Sequence, residues 1–170
     1  DVNAVAISDD GLYYAAVCDN SKVYAFKRGT SSSWTDTLGD DAVSLAMTPD
    51  GQYLAVGSLD ENVYLYGTDG LDEQWSFDAG GAVWGLDITD DGSLVAAGTR
   101  SDKVYLFNST GSQLWSYDAL DGVDQVALSG DGSYLLTGDA DGNLLLFDTG
   151  NSTPYGEYDI GTFLTNGEYS

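Results

Sequence analysis

Along this chain apolar and polar positions alternate with a period of two, in short bursts separated by Gly, Asp, Asn and Ser. That is the signature of half-buried strands joined by tight turns. Val104-Tyr105-Leu106-Phe107 is one such burst; a polar turn, Asn108 to Ser112, leads to a second strand marked by Trp115. The same unit occurs as Val23-Tyr24-Ala25-Phe26 with Trp34, and as Val63-Tyr64-Leu65-Tyr66 with Trp75. It occurs again as Leu144-Leu145-Leu146-Phe147 with Tyr155 in the tryptophan place. The marker therefore falls at 34, 75, 115 and 155, a period of 40 or 41 residues. A fixed period in this range is the mark of a repeat architecture.

A second marker keeps the same period. Asp-Gly turns begin at Asp10, Asp50, Asp91 and Asp131, each between two strand-like runs. Each repeat thus reads as four short antiparallel strands. Small residues crowd the second strand (Ala15-Ala16, Ala55, Ala96-Ala97-Gly98), while aromatics fill the third strand and the tryptophan place. Small inside and large outside is the taper of sheets stacked around an axis. The pattern predicts an all-β fold: a β-propeller of four-stranded antiparallel blades, about 40 residues each. The expected blades span residues 1–40, 41–81, 82–121 and 122–160, and residues 161–170 read as the start of a fifth. An open arc would leave two apolar faces in water. Two arrangements would cover them: a longer propeller of which these repeats are a piece, which is the expectation, or identical arcs assembled into a ring.

Ser8-Asp9-Asp10-Gly11-Leu12-Tyr13-Tyr14-Ala15-Ala16-Val17 resembles the strand pair of WD40-like repeats. The run from Tyr105 to Tyr117, with Thr110-Gly111 and Leu114-Trp115, resembles blades of PQQ-like (quinoprotein-like) propellers. The resemblance covers nearly the whole chain and implies the propeller fold. It departs from typical WD40 repeats in lacking their Gly-His and Trp-Asp dipeptides, so a His-to-Asp network cannot form here.

Composition narrows the function. There are 28 acidic residues, 5 basic ones and no His, for a net charge of −23. Nucleic acid is excluded as a partner, because phosphate binding needs clustered Lys and Arg. Part of the acidity is turn chemistry, since Asp-Gly suits tight turns. The remainder points to a salt-tolerant acidic surface and an extracellular or cell-surface setting. No apolar run reaches the roughly 20 residues needed to cross a bilayer as a helix, so no direct membrane insertion is expected of this segment. The single Cys18 lies in an apolar run and reads as a small buried hydrophobe. Without His and with one Cys, zinc, haem and thiol chemistry lack their ligands.

Three groups of residues are candidate sites. Asn108-Ser109-Thr110 and Asn151-Ser152-Thr153 match the N-glycosylation pattern at corresponding turns of adjacent repeats, so N-linked glycans are expected at Asn108 and Asn151. Asp139, Asp141 and Asn143 place oxygens at alternate positions, as a calcium loop does, but the later bidentate Glu is missing and a plain hairpin turn accounts for them. The third group is a column. Seven residues before each Asp-Gly stand Asn3, Val43, Trp84 and Asp124, chemically unlike while their neighbours repeat. A variable position on a regular scaffold is where a binding surface is written. Packing of Trp84 over a neighbouring blade is the competing explanation. Gln125 and Arg100 could join such a rim, though nothing in the sequence brings them to it.

The sequence therefore points to a non-catalytic scaffold, with no cofactor, whose partner is a protein or another copy of itself. A carbohydrate- or other ligand-binding propeller is the alternative. The PQQ-like resemblance would also imply a dehydrogenase, but the adjacent cysteines of many such enzymes and a basic pocket for the quinone are both missing.

Overall fold

The computed structural model describes residues 1–160 and shows four four-stranded antiparallel sheets, each built from strands consecutive in the chain. Blade 1 holds Val2–Ile7 (β1), Tyr13–Cys18 (β2), Lys22–Lys27 (β3) and Ser33–Thr37 (β4). Blade 2 holds Ala42–Met47 (β5), Tyr53–Ser58 (β6), Asn62–Gly67 (β7) and Asp72–Asp78 (β8). Blade 3 holds Val83–Ile88 (β9), Leu94–Thr99 (β10), Lys103–Asn108 (β11) and Gln113–Asp118 (β12). Blade 4 holds Val123–Leu128 (β13), Tyr134–Asp139 (β14), Asn143–Asp148 (β15) and Pro154–Asp159 (β16). The expected fifth blade, residues 161–170, lies outside the described residues. Among the described residues no helix is long and apolar enough to cross a membrane.

The sheets stack in chain order. Neighbours touch chiefly through their first strands, β1 on β5, β5 on β9 and β9 on β13, with the second strands close behind. The hydrophobic core is accordingly divided among the three seams. Val17, Val23, Ala25, Leu54, Val56 and Tyr66 fill the seam between blades 1 and 2. Val63, Leu65, Val83, Val95, Tyr105 and Phe107 fill the next. Val104, Leu106, Val123, Leu135, Leu145 and Phe147 fill the third. In the two inner blades one face of the sheet meets the preceding blade and the other meets the following one, which explains why residues on both of their faces are apolar.

Size matching sets how closely the sheets approach. A Cβ on Gly57 would lie 2.7 Å from Val83 Cγ1, and one on Gly98 would lie 2.6 Å from Val123 Cγ1. A valine opening one blade is thus seated on a bare glycine of the blade before. The seam between blades 1 and 2 inverts the pair: Val17 stands in the glycine place and Ala42 in the valine place, both fully buried. The outer part of the seam repeats a second contact. Trp75 Nε1 donates to Ser109 O of the next blade at 3.2 Å, and Trp115 Nε1 donates to Thr149 O at 2.8 Å.

The Asp-Gly turns are built the same way four times. The hydroxyls of Ser8, Thr48, Thr89 and Ser129 donate to Oδ1 of Asp10, Asp50, Asp91 and Asp131 at 2.7–2.9 Å. Each hydroxyl also accepts the backbone N–H of the residue opening the second strand, at 3.0 Å. The glycine that follows each Asp has φ between 62° and 71°, a left-handed conformation that only Gly adopts without strain. Gly51 and Gly92 also press on the rings of Tyr13 and Tyr53 in the preceding blade, where an added Cβ would come within 2.9 and 2.8 Å. With no His in the chain, this hydroxyl–carboxylate turn is the polar network that repeats from blade to blade.

Hydrogen bonds to the ionised form hold three carboxyls below their ordinary value of 3.8: the Leu12 N–H and Ser8 hydroxyl at Asp10, Ser93 and then Thr89 at Asp91, and Ser129 and then Ser133 at Asp131. A lowered carboxyl contributes stability that is present above its unfolded value and is lost as pH falls through the folded one. Asp91→Asn is therefore expected to melt below the wild type at neutral pH, with the gap closing as pH falls below 3.8. Thermal unfolding followed by circular dichroism across that range checks this; a gap that stays constant with pH contradicts it.

Candidate functional site

The variable column has a structural cause. The ladder between first and second strands slips between Val2 and Ala4, between Ala42 and Ser44, and between Val123 and Gln125. In blade 3 it slips between Val83 and Gly85. Asn3, Val43, Trp84 and Asp124 are each the residue passed over, so every blade carries a β-bulge at this position. A bulged residue is released from pairing and its side chain is re-aimed. Its neighbours must repeat in order to keep the seam; it need not.

The four residues use that freedom differently. The Asn3 amide donates to Ala42 O at 2.9 Å and so ties blade 1 to blade 2. Val43 is half-buried. Trp84 is exposed at 40% despite its size. Arg100, from the turn after β10, lies over it, with Cζ 4.9 Å from the ring centroid. Asp124 of the next blade faces the same guanidinium, its Oδ1 2.7 Å from Arg100 Nε. Two members of the column are thus joined by a residue that the column does not contain.

The cluster is partly held and partly free. The Arg100 backbone N–H donates to Ala82 O at 3.0 Å, and Gly122 leaves room for its stem, since a Cβ there would lie 3.2 Å from Arg100 Cδ. The ion pair is close but off the N–H axis: Asp124 Oδ1 is buried and has no aligned hydrogen-bond donor among the described residues. With side chains 49% and 35% exposed, the pair contributes at most about 1 kcal/mol to the fold. The stacking of Arg on Trp adds an amount of the same order. An exposed indole, a guanidinium and an underused carboxylate offer stacking, donors and an acceptor in one place. Gln125, exposed beside Asp124, extends the rim.

Of the glycosylation candidates, Asn108 ends β11 and Asn151 lies in the turn after β15. Asn108 Oδ1 accepts from the Thr110 hydroxyl at 2.7 Å and from the Thr110 and Ser112 N–H groups at 3.0 Å. Asn151 is exposed, and its Oδ1 accepts the Thr153 N–H at 2.9 Å. In both, the side-chain nitrogen makes no hydrogen bond among the described residues. The calcium-loop candidates form a hairpin turn instead of a converging cage. Both Asp139 oxygens accept from the Asn143 amide nitrogen, at 3.2 and 3.0 Å, and Asp141 is exposed at the tip. Among the described residues no group of three or more His, Cys, Asp or Glu is placed to hold a metal ion.

Comparison with known proteins agrees with the repeat geometry. The family model described as WD domain, G-beta repeat matches residues 33–67, 72–108 and 111–148, more than half of the chain. Each match runs across a seam, opening near the last strand of one blade or the turn before it and closing at the third strand of the next. The match carries the WD40 part of the resemblance and leaves the PQQ-like part without a counterpart. No curated protein matches the chain. The repeated four-stranded sheets, the constant Asp-Gly turn and this match make the chain a member of the WD40 repeat family.

Proposed function

We propose that the chain is a non-catalytic scaffold displayed outside the cell or on its surface, binding a protein partner through the Trp84–Arg100–Asp124 cluster. Propellers of this family generally serve as non-catalytic platforms for protein–protein interaction. The observation that carries the reading is the bulge column. It frees one residue per blade from strand pairing, and in blades 3 and 4 those residues present an exposed aromatic and a charge. Trp and Arg are the side chains most often found at the energetic centre of protein interfaces. Acid–base or nucleophilic chemistry of the usual kind would need a base beside a nucleophile, and the chain has no His to serve as one.

Two further observations support the extracellular setting. The net charge of −23 suits a saline medium, where screening removes self-repulsion between distant charges. The two Asn-X-Thr turns occupy equivalent loops and leave the modifiable nitrogen unbonded, as attachment of a glycan requires.

Affinity capture from the native cell-surface fraction, comparing the wild type with Trp84→Ala/Arg100→Ala, tests the site. The double variant is expected to keep its fold and to lose at least about tenfold of its bound partner. Undiminished capture contradicts the assignment. Mass analysis of the chain from its native source tests the setting. Sugar is expected on Asn108, Asn151 or both; bare asparagines together with a cytosolic location contradict it.

A further inference from the structure

At the first seam the outer edge is built differently from the other two. Trp34 stands in the place of Trp75 and Trp115 but makes no hydrogen bond to the next blade among the described residues. Gly70, the counterpart of Gly111, also stays clear of the blade before. A Cβ on it would meet only Asp72 of its own blade, where one on Gly111 would lie 2.6 Å from Trp75. The turn that carries Gly70 is held by Asp69 instead, whose Oδ2 accepts the Tyr13 hydroxyl at 3.0 Å and pairs with Lys27 Nζ at 3.0 Å. Gly67 adds to the gap, because it has no side chain where Lys27, Asn108 and Asp148 have one. The result is an open hollow of about 300 Å³ whose lining includes Tyr13, Gln52, Tyr53, Thr68, Asp69 and Gln74. Its walls belong to two adjacent blades of one seam, so a further blade at either end of the stack would not fill it.

The hollow holds more hydrogen-bonding groups than the fold uses. Thr68 is fully buried, yet its hydroxyl has no partner among the described residues. A buried polar group left unpaired is costly, and on the wall of a cavity it calls for a partner from outside the fold. Gln74 is the residue passed over where the ladder of β7 and β8 slips between Leu65 and Tyr66, so its side chain is re-aimed. Its Nε2 donates to Asp72 O at 2.9 Å and its Oε1 is unused. The exposed Gln52 amide and Asp69 Oδ1 make no hydrogen bond among the described residues either. Charge, by contrast, is already matched. Lys27 Nζ lies 4.8 Å from the Tyr13 ring centroid and against Asp69. The bonds from Lys27 and Tyr13 hold the Asp69 carboxyl below its ordinary value of 3.8, so at neutral pH it is an acceptor only.

We propose that this hollow binds a neutral saccharide. Sugar hydroxyls both donate and accept, and are met best by groups that do the same, as the two carboxamides and the Thr68 hydroxyl do. Tyr13 and Tyr53 give the hollow flat apolar surface suited to the C–H face of a sugar ring. An anion would meet the field of a chain with a net charge of −23, and a cation would find Asp69 already paired with Lys27. The volume lies at the lower end of the range for small-ligand sites, which suits a ligand of monosaccharide size. The hollow is at the rim of the Asp-Gly turns, opposite the rim of the Trp84 cluster, and does not rest on the role of that cluster.

Saturation-transfer NMR and titration calorimetry of the chain with glucose, galactose, mannose and N-acetylglucosamine test the assignment. At least one of these sugars is expected to bind saturably. Its affinity is expected to fall by about tenfold or more in Gln52→Ala/Gln74→Ala, in which both truncated side chains are exposed ones. Thr68→Val keeps the shape of the wall and removes the hydroxyl. Binding is expected to weaken by about fivefold while the melting temperature holds or rises, because no bond within the fold is lost. No saturable binding of any of the sugars, an affinity unchanged in the amide variant, or a Thr68→Val chain that melts lower and binds as before overturns the proposal.

Discussion

Everything in this fold depends on the seam between adjacent sheets. A four-stranded sheet of this size has two faces and no interior, so it cannot bury its own apolar residues. Stacking is what supplies a core. The buried side chains accordingly gather between blades: Tyr66 with Val17, Phe107 with Val63 and Leu65, Phe147 with Val104 and Leu106. At the second and third seams glycines fix the approach distance at the second strand, and Trp75 and Trp115 clamp the outer edge through Nε1. The Asp-Gly turns stand between these anchors, closing the hairpin within a blade and, in blades 2 and 3, pressing on a tyrosine ring of the blade before. Buried polar groups are few and follow the same logic. The Tyr66 hydroxyl donates to Asp36 across the first seam at 3.0 Å, and burial together with that bond pushes its ionisation well upward.

That constraint also decides where function can be written. Residues in the ladder serve the seam and must repeat. The bulge at the second residue of every first strand removes one position per blade from pairing, and there the chemistry diverges: an amide used as an inter-blade tie at Asn3, a half-buried valine at Val43, an exposed indole at Trp84 and a carboxylate at Asp124. The scaffold is rigid because its neighbours are fixed, and the site varies because it is not. Asp87 shows the other limit. It points into the seam between blades 3 and 4, where burial raises its carboxyl although Oδ2 accepts the Leu128 N–H at 2.7 Å. Its counterparts Ala6, Ala46 and Ala127 carry no charge to bury.

The fold was legible because two independent markers, the tryptophan place and the Asp-Gly turn, keep one period, and because period-two alternation survives in every strand. The variable column was legible for the same reason, as a break in a regular pattern. Its cause was not, since a bulge is a feature of pairing and leaves no residue type of its own behind. Arg100 could be named beside that rim but not placed on it, because it comes from a turn in the next hairpin; only the register of β9 against β10 lays it over Trp84. The glycine–valine seats were hidden in plain view. Gly57, Gly98 and Gly138 fall in one column and Val2, Val83 and Val123 in another, but nothing in either column says that one sits upon the other until the sheets are stacked.

The claim that size-matched seams hold the molecule together is tested most directly at the inverted one. Val17→Gly and Ala42→Val, made singly and together, convert the seam between blades 1 and 2 into the kind found at the other two. The first change alone leaves a void and the second alone overfills the site, and each is expected to lower stability by about 1–3 kcal/mol. Together they are expected to recover more than about 1 kcal/mol of the summed loss in denaturant unfolding, the signature of residues in direct contact. Strictly additive losses would mean that the two positions do not meet, and that the seams are held by something other than the fit of valine on glycine.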